Sequence, residues 1–295
     1  MLEAGAHLGR RLRAQRRGSH SYSESAGLFG RSDAAAFEYM QTFVPMDWVP
    51  AGRLGSRWGE SRSAVPSADH EALQARWLRQ AARQLLGERC GTFESESNES
   101  NAAAHGWAYP NSSALFDDYF RAATRTATVL LGTQPERIDL DSKSIWLEGQ
   151  ALSFDVIVNS DPIDDLFGQC YGPLAFLGCE QSSLVLPVPQ VYPEGVHCSY
   201  HPGESGALRV TEFRKFTSAP GEGSLLGVEQ LQLGGRQHAL PIAAEQRRAQ
   251  RYLSELPSGV FSIGPLGRYQ PDRGPGSEVG EALACAQRLG LARVA

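Results

Sequence analysis

The sequence predicts an α/β protein in which an α/β core carries an antiparallel sheet and a single inserted helix. Three stretches carry that prediction. Phe154-Asp155-Val156-Ile157-Val158-Asn159-Ser160-Asp161-Pro162-Ile163-Asp164 reads as a buried strand, Val156 to Val158, closing in a small polar turn. Leu208-Arg209-Val210-Thr211-Glu212-Phe213-Arg214-Lys215-Phe216-Thr217 alternates apolar and charged residues, the period of a half-buried strand. Asp69 to Leu86 places Leu73, Trp77, Leu78, Ala81 and Leu85 on one broad helical face, with Gly87 as its stop.

The other elements follow in order. Ala34 to Phe43 has helical spacing, with Ser32 or Asp33 as N-cap and Pro45 beyond its end. Phe43, Met46 and Trp48 are expected in the core. Arg53 to Pro66 is rich in Gly, Ser and Arg and reads as loop, and the acidic, Ser- and Asn-rich run Thr92 to Asn101 as a mobile one. Ala114 to Ala123 reads as a helix and Ala127 to Leu131 as a strand. Arg137 to Leu140 and Ser144 to Leu147 read as a hairpin, followed by Leu152 to Val158. Leu184 to Val191 is apolar but broken by Pro187 and Pro189, which fits an edge or irregular strand. Val196 to Tyr200 and Ser224 to Leu233 join the antiparallel sheet. Ala243 to Leu256 is a helix ended by Pro257, Val260 to Ile263 a short strand, and Glu278 to Leu289 the last helix.

Composition narrows the function. The 295 residues are 41% hydrophobic and 21% charged, ordinary for one or two globular domains with a sizeable core. A net charge of -5 gives no support for a nucleic-acid partner. No apolar run reaches the length of a membrane span, and Met1-Leu2-Glu3 does not open a signal peptide. Cys90, Cys170, Cys179, Cys198 and Cys285 are scattered and lack metal-ligand spacing, so reduced thiols and a cytoplasmic location are expected.

Two features point to chemistry. A strand that stops at a small polar turn is where α/β proteins place ligands. Arg209 opens its strand, and the planar fork of arginine suits a diphosphate. A plainer role for Arg209 is a surface pair with Glu212 or Glu204. The crowded Arg10, Arg11, Arg13, Arg16 and Arg17 fit a basic, flexible N-terminal segment.

The runs FDVIVNSDPID, LRVTEFRKFT, Leu240-Pro241-Ile242 and Gly264-Pro265-Leu266-Gly267-Arg268-Tyr269 stand in a telling order. That order resembles the UDP-galactopyranose mutase family, whose runs look like FDxVIYTGPID, YTRIxExKHFT, YYPI and GRLGxYxYxDM. The resemblance covers most of the chain. It implies a partial FAD-binding, Rossmann-like flavoprotein core with a reduced helical insertion and an antiparallel substrate-side sheet. The implied divisions are 1–50 and 106–165 for the cofactor core, 51–105 for the insertion, 166–257 for the sheet, and 258–295 for the core's C-terminal part.

The resemblance also implies an activity, the interconversion of pyranose and furanose forms of a UDP-sugar by reduced FAD. In that family the flavin N5 is the nucleophile, so no protein nucleophile is needed. Arg209, Tyr269 and Tyr109 fall at substrate positions. Glu3, His20, Gly264, Gly267 and Asp272 fall at cofactor positions, Asp272 one place early. His7-Leu8-Gly9-Arg10-Arg11 stands where the family has HIGGN.

Departures accompany these matches. No GxGxxG precedes Glu3, so the chain as given is expected to bind FAD weakly or not at all. Pro265 replaces the Arg of GRLG, Pro271 the second Tyr, and Ala239 and Leu240 precede Pro241 where YYPI has tyrosines. Two other outcomes are therefore carried: a non-catalytic homologue that keeps only the fold, and an FAD-linked oxidoreductase of the amine-oxidase type. The partners expected are a UDP-sugar and, as one option, a second copy in a homodimer.

Overall fold

The computed structural model describes residues 1–24, 29–30, 34–49, 55–58, 70–93, 107–201, 207–216, 223–232, 234–271 and 274–291. The N-cap expected at Ser32 or Asp33, most of the Thr92 to Asn101 loop, Glu204 and Asp272 lie outside these residues.

A six-stranded sheet organises the chain. Its order is His238–Ala239, Phe176–Leu186, Ser224–Gln232, Ala207–Glu212, Val196–Tyr200, Gly55–Trp58. Neighbours are antiparallel except the last pair, which is parallel. Gly55–Trp58 falls in the stretch read as loop. Its pairing with a distant, fully buried strand leaves no local signal.

The Val196–Tyr200 strand is buried on both faces. Cys198 and Tyr200 join a cluster with Leu73, Trp77 and Leu78 of the His70–Leu86 helix. His197 meets Phe216 on the other side, ring centroids 5.3 Å apart. There Phe213, Phe216 and Leu225 pack with Tyr22, Phe29 and Phe116. The apolar stripe read on the inserted helix is thus the cover of one sheet face.

The remaining strands form small sheets. Leu2–Glu3 pairs in parallel with Leu130–Leu131, and Ile157–Asn159 with Val260–Ser262. Arg137–Asp139, Ser144–Leu147 and Gln150–Ser153 form a meander, one strand more than the hairpin expected. Phe29–Gly30, Trp107–Pro110 and Met46–Val49 form another three-stranded sheet.

Three expectations need correction. Ile157 is 7% exposed but Val158 is 47% exposed, because this parallel pair is covered on one face only. Trp48 is 37% exposed, although its ring packs at a tilt against Phe37, centroids 4.6 Å apart. The strand placed at Leu184 to Val191 instead runs Phe176–Leu186 and stops before Pro187.

Leu177 is fully enclosed against the helix-covered face. Leu177→Ala should cost about 2–5 kcal/mol in urea unfolding, whereas Val158→Ala should cost under ~1 kcal/mol. Equal losses would contradict the placement of these strands.

Candidate functional site

Arg209 lies directly across the strand pair from Glu229. Its Nη2 sits 2.5 Å from Glu229 Oε2. The second carboxylate oxygen, Oε1, accepts from Arg11 Nη2 at 2.5 Å. Arg11 comes from the short helical turn Arg10–Leu12, more than two hundred residues away in sequence. The partner of Arg209 is therefore Glu229, and not Glu212. Glu212 is spent elsewhere: its oxygens accept from the backbone N–H groups of Val191 and Tyr192, both at 2.9 Å.

The other terminal nitrogen of Arg11, Nη1, lies 3.2 Å from Nε2 of His238. A guanidinium only donates, so this Nε2 accepts and the ring proton sits on Nδ1. His238 is thereby neutral, and burial likewise holds its pKa below the ordinary value, outweighing the nearby Glu229 that would raise it. Its ring meets Trp77 edge-on, centroids 5.8 Å apart, so the inserted helix forms the floor of the cluster.

Burial alone would push the Glu229 carboxyl up. Arg209 and Arg11 outweigh it and hold the group well below the carboxylate range. The same carboxylate keeps Arg209 firmly charged against its own burial. The nearby Cys179 thiol is pushed up to about 12 by burial and by Glu229, so it stays neutral. Formal charges of two guanidiniums and one carboxylate leave the cluster at plus one. Cys179, Glu229 and His238 do bring donor atoms within 4.8 Å of one another. With a guanidinium against each Glu229 oxygen and a protonated thiol, this geometry suits an anion and not a metal cation.

The other expected site residues divide between core and periphery. Tyr269 is fully buried at φ +51°, its hydroxyl donating to the Ala175 carbonyl and accepting from Leu240 N–H at 3.3 Å. Leu240 follows His238 by two residues, so Tyr269 braces the edge strand that carries the histidine. Tyr109 is enclosed by Phe116 and Phe216, and burial pushes its hydroxyl up to about 12. His20 is buried on the hairpin strand His20–Tyr22, its pKa lowered by burial and then by Arg214. Glu3 is partly exposed and turns an oxygen back to Gly5 N–H at 2.7 Å. Gly267 lets its turn approach the 157–159 and 260–262 strands closely, since a Cβ there would meet Ser262 Oγ at 2.8 Å. The structure thus groups Arg209 with Arg11, Glu229 and His238, and links Tyr269 to them through Leu240; Tyr109 sits in a separate cluster.

Sequence reasoning missed Arg11, Glu229 and His238. One signal was present: Glu229 is a lone acid in an otherwise uncharged strand, Leu225 to Leu231, that reads as core.

The fit of FAD can be tested on these residues. Gly264 sits at φ +74° in open space, room that a flat ring could use. Its N–H, however, already donates to Glu281 Oε2 at 2.8 Å. The Pro275–Arg288 helix opens with Glu278, and Glu281 lies one turn on, so this helix start repels a phosphate. No described glycine turn and helix start together offer the row of N–H groups that a pyrophosphate needs. The described residues do not fit the whole cofactor, and no chemical step is derived through it.

Glu278 itself carries a pH signature. Burial, and then Glu281, raise its pKa from 4.5 to about 7. A carboxyl that holds its proton more tightly when folded contributes stability below its unfolded value, and that contribution is lost as pH rises through about 7. Glu278→Gln should therefore raise the melting temperature at pH 8 relative to wild type and leave it nearly unchanged at pH 5. A gain of equal size at both pH values would show that this carboxyl is not buried.

Neither a protein-family model nor a curated protein sequence matches the chain. Solved structures do. A reduced UDP-galactopyranose mutase superposes with a TM-score of 0.73 at 13% identity, covering 99% of this chain and 90% of that one. A protein of Exiguobacterium sp. 255-15, provisionally described as a protoporphyrinogen oxidase, gives 0.59 at 11% identity, covering 98% and 92%. A putrescine oxidase variant gives 0.52 at 9% identity, covering 98% and 93%. Identities this low show the fold alone: the chain shares the mixed α/β architecture of these solved structures.

Proposed function

We propose that the chain is a sugar-nucleotide-binding relative of the UDP-galactopyranose mutases, with Arg209 gripping the diphosphate. The observation that carries this reading is the buried cluster at Arg209, which holds one positive charge more than its own carboxylate neutralises. A surplus guanidinium in a low-dielectric setting favours an anion, and its fork matches two phosphate oxygens at once. The fold shared with the mutase supports the same assignment. In the mutase family such binding serves the interconversion of UDP-galactopyranose and UDP-galactofuranose. Since the described residues do not fit the whole flavin, what is proposed for this chain is nucleotide-sugar binding, with that interconversion or a related one following only where a flavin is also held.

In that family the ring contraction belongs to reduced FAD. The part left to this chain is to hold the diphosphate while charge develops on it and to keep it in place for return. Tyr269 serves this by bracing Leu240, and with it His238, behind the arginines. A second reading, a homologue that keeps the fold without catalysis, is favoured by Pro265 in the family's arginine position and by the enclosed hydroxyls of Tyr109 and Tyr269.

Calorimetric titration of UDP separates the two. Arg209→Ala should weaken binding by about 1.5–3 kcal/mol, the usual worth of a hydrogen bond to a charged group. Arg209→Lys should recover only part of this, because a point charge does not reproduce the fork. Absence of UDP binding by wild type would favour the fold-only homologue, and a yellow protein after reconstitution with FAD would exclude it.

A further inference from the structure

Arg11, in the run that stands where the mutase family has HIGGN, was given no substrate or cofactor role of its own, yet it meets the same carboxylate as Arg209. We infer that Arg11 and Arg209 are the two arms of one anion clamp, with Glu229 as its base, and that the clamp takes a pyrophosphate group. The inference rests on the proposed sugar-nucleotide reading and extends it with a second binding residue.

Placement supports it. The Glu229 side chain is 3% exposed, whereas those of Arg11, His238 and Arg209 are 20%, 17% and 14% exposed. The carboxylate is therefore the most enclosed member of the cluster, and the three groups around it are the more accessible ones. Each carboxylate oxygen lies against one guanidinium, so the two forks are held on the same acid. His238 offers only an acceptor to Arg11, which fixes the fork without adding charge. Each guanidinium has five N–H donors, and one carboxylate with one imidazole nitrogen cannot occupy ten. The donors that remain, with one uncompensated charge, match a group of two linked phosphates better than a single carboxylate.

The cluster also crosses a long interval of chain. Arg11 lies 218 residues from Glu229, so the N-terminal turn is tied to the central sheet through this contact. An anion seated on both arms would tighten that tie, and loss of Arg11 would leave Arg209 to act alone.

The test titrates inorganic pyrophosphate, UDP and uridine into wild type, Arg11→Gln and Arg11→Lys. Arg11→Gln should weaken pyrophosphate and UDP by about tenfold or more, as expected for losing a charge-assisted hydrogen bond. Arg11→Lys should restore part of the loss, and uridine should be indifferent to both changes. Unchanged UDP and pyrophosphate affinity in Arg11→Gln would overturn the clamp while leaving Arg209 as the diphosphate arginine. Pyrophosphate binding that depends on Arg11, without any UDP binding, would keep the clamp and sink the nucleotide-sugar reading. Failure of wild type to bind either would sink both. Should Arg11→Gln not fold, arginine modification of wild type by phenylglyoxal decides: pyrophosphate should protect the peptides containing Arg11 and Arg209, and unprotected peptides would overturn the clamp.

Discussion

A carboxylate that must stay charged inside a sheet constrains much of this molecule. Glu229 sits on the strand Ser224–Gln232, flanked by Phe176–Leu186 and Ala207–Glu212. Burying a lone carboxylate costs several kcal/mol, so its partners must be held in place by the fold. Register supplies Arg209 from the next strand, and the N-terminal turn supplies Arg11. The edge strand fixes Arg11 through His238, and the inserted helix closes the floor with Trp77. Sheet, N-terminal segment and helix thus converge on one charge.

Two other buried carboxylates repeat the device without the surplus. Glu212 accepts from Val191 N–H, Tyr192 N–H and the Ser224 hydroxyl, which pins the irregular stretch after Leu186. Asp164 accepts from Leu174 N–H at 2.9 Å and pairs with Arg236 at 2.5 Å. It thereby ties the turn after the Ile157–Asn159 strand to the loop before the edge strand. Each of these carboxylates is matched by backbone donors or by one guanidinium or ammonium. Only at Glu229, among the described residues, do two arginines share one acid.

Much of the architecture was legible locally. The Trp77 face of the inserted helix repeats at helical spacing, and Val196–Tyr200 and Ser224–Gln232 lie where apolar density placed them. What escaped depends on distant partners. Gly55–Trp58 becomes a strand by pairing with Val196–Tyr200. The start of the Phe176–Leu186 strand was hidden by Gly178, where a Cβ would meet Gln232 O at 2.3 Å, and by Ser182 and Ser183. The site was legible in one residue, Arg209, through its fork and its place on a strand. Its acid was misassigned because the choice between Glu212 and Glu229 is made by cross-strand register, which no short window contains. Arg11 was read either as part of an HIGGN-like run or of a basic N-terminal segment, and its acid was missed for the same reason.

The central claim is that Arg209 and Glu229 are one coupled buried unit. A double-mutant cycle in urea tests it directly, using Arg209→Met, Glu229→Leu and the pair together. Glu229→Leu leaves two guanidiniums without their acid and should cost about 3–5 kcal/mol, whereas Arg209→Met leaves the carboxylate paired with Arg11 and should cost less. The double variant keeps the cost of leaving Arg11 without its acid, but should cost less than the sum of the single changes, with a coupling energy of at least ~2 kcal/mol. Costs that simply add, with coupling near zero, would mean that the two charges do not depend on each other, and the account of the site would fall with them.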